Sequence, residues 1–387
     1  MRPVAPGRFL LGYFLFVTAV ITLAPFRFAL PAALRLSWLV DPGDMLANVL
    51  LFVPLGFLFR VTALPSSRTG HWSAAGAALL VSTALESLQL YLPGRFPSPV
   101  DVLANTLGAW LGSQLHARIA AYLGGRLVRG LALELPLMNV VYLLIPLLWL
   151  DGFAAGLDTR RLVLSPLLGL AGAIVLAAVW RHRLAERGVL SPPRLAGLAA
   201  GWYVVGAAPG LIRRPLLVVG GAVLVALVAW LESARPTPLA PERRFELPTL
   251  RRVWPVLVGY LILSALWPMP WAPGSWHGSW GLADLADMPD VVSMLRALEY
   301  LGAFTLLGYT VAESRGRREE PTRHRLARLA IACFIATAAL ELLRGFHPQH
   351  GASVLVLLFT GAVGLYGGLL YRMQLRVVRE VAATRPP

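Results

Sequence analysis

Polar residues in the first third of the chain occur in pairs at helical spacing within otherwise apolar sequence. The pairs are Asp44 with Asn48, Glu86 with Gln89, and Asp101 with Asn105. Residues three or four positions apart lie on the same face of an α-helix, so each pair is predicted to project from one helix face. Carboxylates and amides in this arrangement can bind a polar group, and the carboxylates can also act as general acid and base.

Glu86 is the member of this set that helix capping does not explain. It precedes Pro93 by seven residues, which puts it about 10 Å down a helix from the turn. An ionisable group inside a membrane costs about 2.5–3.5 kcal/mol and is usually paired and functional. Arg95 is the expected partner. Asp44 and Asp101 begin their helices, where an acid also complements the helix dipole, so capping is the alternative role for those two.

The composition predicts that membrane helices position these residues. The 387 residues are 57% hydrophobic and only 14% charged, whereas soluble domains average about 45–50% and about 25%. This excludes a soluble enzyme. All 35 residues counted as Lys or Arg are arginines, and the net charge is +15. The arginines lie between long apolar runs rather than on one stripe with aromatics, which favours anionic lipid headgroups over nucleic acid as the partner.

About twelve apolar runs approach the length of about 20 residues that a bilayer requires. They cover residues 9–30, 44–62, 73–92, 99–117, 135–150, 163–180, 195–211, 215–231, 253–269, 291–312, 329–345 and 352–371. If the N-terminus is inside, most arginines fall in cytoplasmic loops, as the positive-inside rule requires. We therefore expect a multi-pass protein of a bacterial plasma membrane, with both termini cytoplasmic and the polar pairs at the outer face.

Two distant segments of the chain are similar to each other. Residues 83–95 match residues 338–350 at an offset of 255, which aligns Glu86 with Glu341. The second segment changes the other polar positions, and its candidate site residues are Glu341, Arg344 and His350. The predicted fold is all-α, with two parallel four-helix units flanking a four-helix middle section. The boundaries are 1–125, 126–250 and 251–387.

Three motifs follow one another in the first unit. They are Glu-x-x-Gln from Glu86, Pro-Gly-Arg ending at Arg95, and Asp-x-x-x-Asn from Asp101. Over roughly residues 9–120 this ordered set closely resembles the VanZ-like family of bacterial membrane proteins. The resemblance implies a role in the cell envelope, because the founding member of that family is associated with resistance to the glycopeptide teicoplanin.

Three functions fit these residues. The first is binding of a polar lipid or lipid-linked cell-wall precursor in an outer-leaflet pocket lined by Asp44, Asn48, Glu86, Gln89, Arg95, Asp101 and Asn105. The second is an enzyme that uses Glu86 and Asp101 as acid and base on a lipid-linked substrate. The third is a transporter, although its acids would then be expected near the bilayer midplane. No nucleotide loop or zinc motif occurs, and the only cysteine, Cys333, lies in an apolar run, so we expect no cofactor and no metal.

Overall fold

The computed structural model describes residues 8–24, 26–30, 36–38, 41–62, 70–123, 135–154, 159–185, 188, 190–236, 245–266, 275–279, 291–315, 322–347 and 351–383. These ranges are almost entirely helical, as predicted. The α-helices are α1 (Arg8–Leu23), α2 (Pro42–Thr62), α3 (His71–Gln89), α4 (Pro99–Leu123), α5 (Leu135–Ala154), α6 (Ser165–Arg183), α7 (Pro192–Gly206), α8 (Ala208–Arg213), α9 (Pro215–Ser233), α10 (Glu246–Ala265), α11 (Val291–Arg315), α12 (Thr322–Arg344) and α13 (Val354–Ala383).

Two minor elements accompany the helices. A 3₁₀-helix, Thr159–Leu164, leads into α6. Two short strands, β1 (Gly278–Ser279) and β2 (Ala352–Ser353), pair in parallel directly ahead of α13. The all-α prediction omitted this pairing because two residues are too few for a periodic strand pattern.

Every predicted apolar run overlaps a helix, but the first helix ends at Leu23, inside its run, and one run is broken. The seventh run forms α7 and α8, and Pro209 lies in the first turn of α8. Proline cannot donate a backbone hydrogen bond within a helix, so it is suited to begin a new one. The described ranges therefore contain one more helix than there were runs.

Five of the described helices are both long and apolar enough to cross a membrane. They are Pro42–Thr62, Pro136–Ala154, Leu162–Arg183, Pro215–Ser233 and Val354–Arg376. Helix α1 is apolar but shorter, at 16 residues, and α3 and α4, which carry most of the polar pairs, are not among the five. The chain is a helical membrane protein, and the count of about twelve spans stays a prediction.

Large apolar side chains are exposed on α9. On α9, Leu216 is 85% exposed and Val223 is 63% exposed. Large contiguous apolar surfaces are rare on soluble monomers. In a lipid environment the same side chains are solvated by hydrocarbon.

Helix α5 lies at the centre of the helix assembly. Val140, Leu144 and Trp149 on this helix are fully buried, and α5 packs against both α6 and α11. Apart from Asn139 and Asp151, α5 is apolar on all sides, as expected of a helix in such a position. The middle section therefore forms part of the common core.

The N-terminal unit is built on a close contact between α2 and α4. A methyl group at Gly56 would collide with the carbonyl oxygen of Ala109, and one at Gly108 would collide with that of Val49. Glycine permits this approach of two backbones because it has no Cβ. Val49 faces Gly108, and farther along both helices Val53 lies against Gly112, so α2 and α4 are parallel and begin at the same end of the unit.

Candidate functional site

The segment between α3 and α4 is shaped by a tight turn. The backbone N–H of Arg95 donates to the carbonyl oxygen of Leu92 at 3.1 Å, and Gly94 has a φ of +81°. Proline followed by a glycine with positive φ is the pattern of a type II turn. The Pro-Gly-Arg motif therefore reverses the chain and leaves the Arg95 side chain exposed at its end.

Glu86 is joined to the start of α4 by a backbone hydrogen bond. The N–H of Ser98 donates to its Oε2 at 2.8 Å, and Glu86 is half-buried. Among the described residues, no group bonds its second carboxylate oxygen. The sequence pointed to Arg95 as the partner, but Arg95 interacts with Glu86 only through its charge; no ion pair within 4.0 Å joins them among the described residues.

Ser98 also determines which hydrogen bonds are open to the Asp101 carboxylate. It caps α4, since its Oγ accepts the N–H of Asp101 at 3.3 Å, and Pro99 follows as the first residue of the helix. In a capping box the acidic residue at the third helical position would accept the N–H of the cap. Glu86 takes that N–H instead, so the Asp101 carboxylate is available for another partner.

The Asp101 carboxylate lies between α4 and α2. Its hydrogen-bond partner is the Asn48 side chain, and the charge of Asp44 acts on it as well. Asp101 and Asn48 are half-buried, while Asp44 is exposed. The structure therefore brings the first and third predicted pairs to one end of the unit, beside Glu86.

Asn105 lies one helical turn below Asp101 and is only 7% exposed. Its Nδ2 donates to Ser82 Oγ on α3 at 2.8 Å. Within the described part of the chain its Oδ1 is buried without a hydrogen-bond partner. Such an atom costs free energy unless another group donates to it. Ser82, four residues before Glu86, was not identified from the sequence.

Gln89 does not join this group through its side-chain amide. Its Nε2 donates to the backbone oxygen of Thr22, near the end of α1, at 3.1 Å. That bond closes the last turn of α3 onto α1. Gln89 therefore positions α3 and leaves Glu86 facing α4.

Among the C-terminal helices, Glu341 is bonded in a similar way to Glu86, but both of its carboxylate oxygens have a partner. Ser353 N–H donates to Glu341 Oε2 at 2.9 Å, and Arg344 Nη1 donates to Glu341 Oε1 at 2.7 Å. The guanidinium also lies over the Tyr300 ring, 5.5 Å from its centroid. Both members of the ion pair are buried. The third residue predicted here, His350, lies outside the described residues.

A further buried polar cluster was missed from the sequence. Tyr260 OH lies 3.2 Å from Asp151 Oδ1 and 3.1 Å from Glu299 Oε1, so its one proton can bond either carboxylate, and Ser264 Oγ also bonds Glu299. The fifth apolar run of the sequence ends at residue 150, whereas α5 continues to Ala154. Asp151 directly follows that run, so the run alone does not predict an acid inside the helix.

The chemistry available at the N-terminal site is that of hydrogen-bond acceptors beside one cation. Glu86, Asp101 and Asn105 offer oxygen atoms, and Arg95 offers an exposed guanidinium. Within the described ranges, no three His, Cys, Asp or Glu side chains lie close enough to hold a metal ion. The arrangement is suited to bind a polar group that carries both donors and negative charge.

The residues of this site lie in a part of the chain that matches a known protein family. Residues 10–120, which contain α1–α4 from Leu10 almost to the end of α4, match the VanZ/LLP1 family. This part of the chain is VanZ-like, as the motifs indicated. No curated protein and no solved structure matches the chain.

Proposed function

We propose that the VanZ-like part of this membrane protein, residues 10–120, binds the polar headgroup of a lipid or of a lipid-linked cell-wall precursor. The headgroup lies between Glu86, Asp101 and Arg95. The observation that carries the proposal is the state of the Glu86 carboxylate, because one oxygen is fixed by Ser98 while the other is unoccupied among the described residues. A fixed carboxylate with an open oxygen is preorganised for a donor group.

Arg95 supplies the opposite charge for the same ligand. Its side chain is exposed, and no ion pair within 4.0 Å holds it among the described residues. A guanidinium binds phosphate and carboxylate through charge-assisted hydrogen bonds. Arg95 therefore suits the anionic part of a headgroup.

The surroundings of the site favour a lipid over a water-soluble ligand. Phe96, next to Arg95 in the chain, is 56% exposed. Its side chain presents apolar surface beside the exposed guanidinium. An acyl or polyprenyl chain would cover that surface while its headgroup occupies the site.

The side of the membrane and the biological context are part of the proposal. The distribution of arginines along the sequence favours the outer leaflet for the ends of α2, α3 and α4 that meet here. A wall precursor in that leaflet would link the protein to the cell envelope. Expression of the protein should then change the teicoplanin susceptibility of a bacterial host, and loss of the effect with Arg95→Ala would tie it to this site.

The direct experiment is lipid analysis of the purified protein. We expect Arg95→Ala to copurify with several-fold less of its specific lipid than the unaltered protein. Arg251→Ala is the matched control, because Arg251 is also an exposed arginine but lies on α10, away from the site helices. Equal lipid in Arg95→Ala and the parent protein would refute the proposal.

The Glu86→Gln variant distinguishes an enzyme that uses Glu86 as acid or base from a protein that only binds the lipid. The amide retains an oxygen that can accept the Ser98 N–H, but it cannot act as a general acid or base at pH 7. An unchanged envelope phenotype in this variant, with lipid retained, indicates binding alone. Loss of the phenotype with lipid still bound indicates acid–base chemistry at Glu86.

A further inference from the structure

Glu86 and Glu341 are held by the same two hydrogen bonds, which we call the hydrogen-bond frame of each glutamate. In each case a serine 12 residues later donates its backbone N–H to Oε2 of the glutamate, at 2.8 Å for Ser98 and 2.9 Å for Ser353. In each case the serine Oγ accepts the N–H three residues farther on, that of Asp101 at 3.3 Å and that of Val356 at 3.5 Å. The two glutamates are therefore held in the same way at the start of the next long helix.

The helix contact beneath the two frames is also alike. A methyl group at Gly308 of α11 would collide with the carbonyl oxygen of Gly364 on α13, and one at Gly367 would collide with that of Thr305. The α2–α4 pair is close at Gly56 and Gly108 in the same manner. Both glutamates thus stand beside a helix pair whose backbones touch.

The two frames differ at the second carboxylate oxygen. Glu341 Oε1 receives the guanidinium of Arg344, three residues later on the same helix. The residue three positions after Glu86 is Gln89, whose amide is turned to Thr22. The position that a cation fills in the C-terminal helices is thus left open in the N-terminal ones.

Two acceptor groups of α4 lie on the side of the open position away from the turn, and Arg95 in the turn acts on Glu86 through its charge. The Asp101 carboxylate lies close enough to act on the charge of Glu86, and one turn deeper the buried Oδ1 of Asn105 has no donor among the described residues. An ammonium group has three N–H donors and no acceptor. It is the ligand group that matches two carboxylates and an amide oxygen.

We infer that the ligand of Glu86 carries a primary ammonium group, which takes the place that the Arg344 guanidinium takes beside Glu341. This inference rests on the proposed lipid-binding function and makes it more specific. With Arg95 on the anionic group, the headgroup is zwitterionic. The same chemistry is offered by an aminoethyl phosphate headgroup and by the free amine of a lipid-linked peptide precursor.

The first test varies the lipid. Delipidated full-length protein in detergent is titrated with short-chain phosphatidylethanolamine, phosphatidylcholine and phosphatidylglycerol of identical acyl chains. Phosphatidylcholine keeps the positive charge but has no N–H, and phosphatidylglycerol has no cation. Because hydrogen bonds to a charged group are lost, we expect phosphatidylethanolamine to bind about 10- to 100-fold more tightly than either.

A precursor arm separates the two sources of the amine. An amine-bearing lipid-linked peptide precursor is compared with its N-acetylated form under the same conditions. A similar preference for the free amine supports the inference, and the tighter of the two amine ligands identifies the source.

The second test places a cation of the protein itself beside the open oxygen of Glu86. Gln89→Arg introduces a guanidinium three residues after Glu86, as Arg344 follows Glu341, and should abolish the preference for the amine. Gln89→Met also removes the bond to Thr22 but adds no cation, and should keep the preference. Thermal unfolding of both variants reports whether they are folded.

The results distinguish this inference from the proposed function. Equal affinity for phosphatidylethanolamine and phosphatidylcholine, lost together in Arg95→Ala, overturns the ammonium but leaves lipid binding in place. An undiminished amine preference in folded Gln89→Arg overturns the equivalence with Arg344. No measurable binding of any of these lipids or precursors by the unaltered protein refutes the proposed function itself.

Discussion

The backbone N–H of Ser98 and the carboxylate of Glu86 are joined across the α3–α4 segment by a hydrogen bond of 2.8 Å. This bond fixes the carboxylate and at the same time satisfies the first unpaired N–H ahead of α4. It follows that one residue, Ser98, connects the stability of a helix start with the orientation of a candidate ligand group.

The two functions of Ser98 can be separated by substitution. Ser98→Ala removes the capping oxygen but keeps the N–H, so we expect a loss of about 1 kcal/mol in stability and unchanged lipid binding. Ser98→Pro removes the N–H that orients Glu86 and should weaken binding several-fold. Thermal unfolding and lipid titration of the two purified variants check this, and equal binding by both would show that the bond to Glu86 has no role in recognition.

Replacement of Gly108 tests the contact between α2 and α4. Gly108→Ala forces a methyl group against the carbonyl oxygen of Val49, and overpacking of this kind typically costs about 1–3 kcal/mol. Gly76→Ala on α3 is the control, because a Cβ there meets nothing within 4 Å. We expect the unfolding temperature to fall for Gly108→Ala and to stay level or rise for Gly76→Ala. A similar small effect at both positions would contradict the close packing.

Loss of one partner of the buried pair Glu341–Arg344 should lower the free energy of unfolding far more than loss of one partner of an exposed pair. Arg344→Met leaves a buried carboxylate without its cation, and loss of one partner of a buried pair costs about 3–5 kcal/mol. Glu341→Gln in the same chain should recover part of that loss. Arg235, which pairs with Glu232 but is 51% exposed, is the comparison: Arg235→Ala should cost less than about 1 kcal/mol. The free energy of unfolding of the parent and the three variants is measured by chemical unfolding in detergent. Equal losses for the two single arginine variants would show that Glu341–Arg344 is not a buried ion pair.

The side of the membrane on which the site lies can be determined by cysteine labelling. Cys333 is the only cysteine and is fully buried, so Cys333→Ala gives a background without thiols. Phe96→Cys should react with an impermeant maleimide in intact cells, whereas Arg251→Cys should react only after permeabilisation. The reverse pattern would place the site on the cytoplasmic side.

The sequence predicted much of the site because helical spacing is a local property. Asn48 and Asp101 were expected at one end of the unit from their spacing and the order of apolar runs, and the structure brings them into contact. Ser98 was not expected as the partner of Glu86, because that bond depends on how the turn at Gly94 folds the chain back. Local spacing also does not determine the direction of a long side chain, and Gln89 accordingly bonds to α1.

The central claim is tested most directly by photocrosslinking a lipid to the full-length protein. A lipid with a photoreactive headgroup is activated in membranes that contain the protein, and the modified peptides are mapped by mass spectrometry. We expect adducts concentrated on the start of α2 and on residues 86–105, reduced several-fold in Arg95→Ala. Adducts spread evenly over exposed apolar faces such as α9, with no change in Arg95→Ala, would contradict the proposed site.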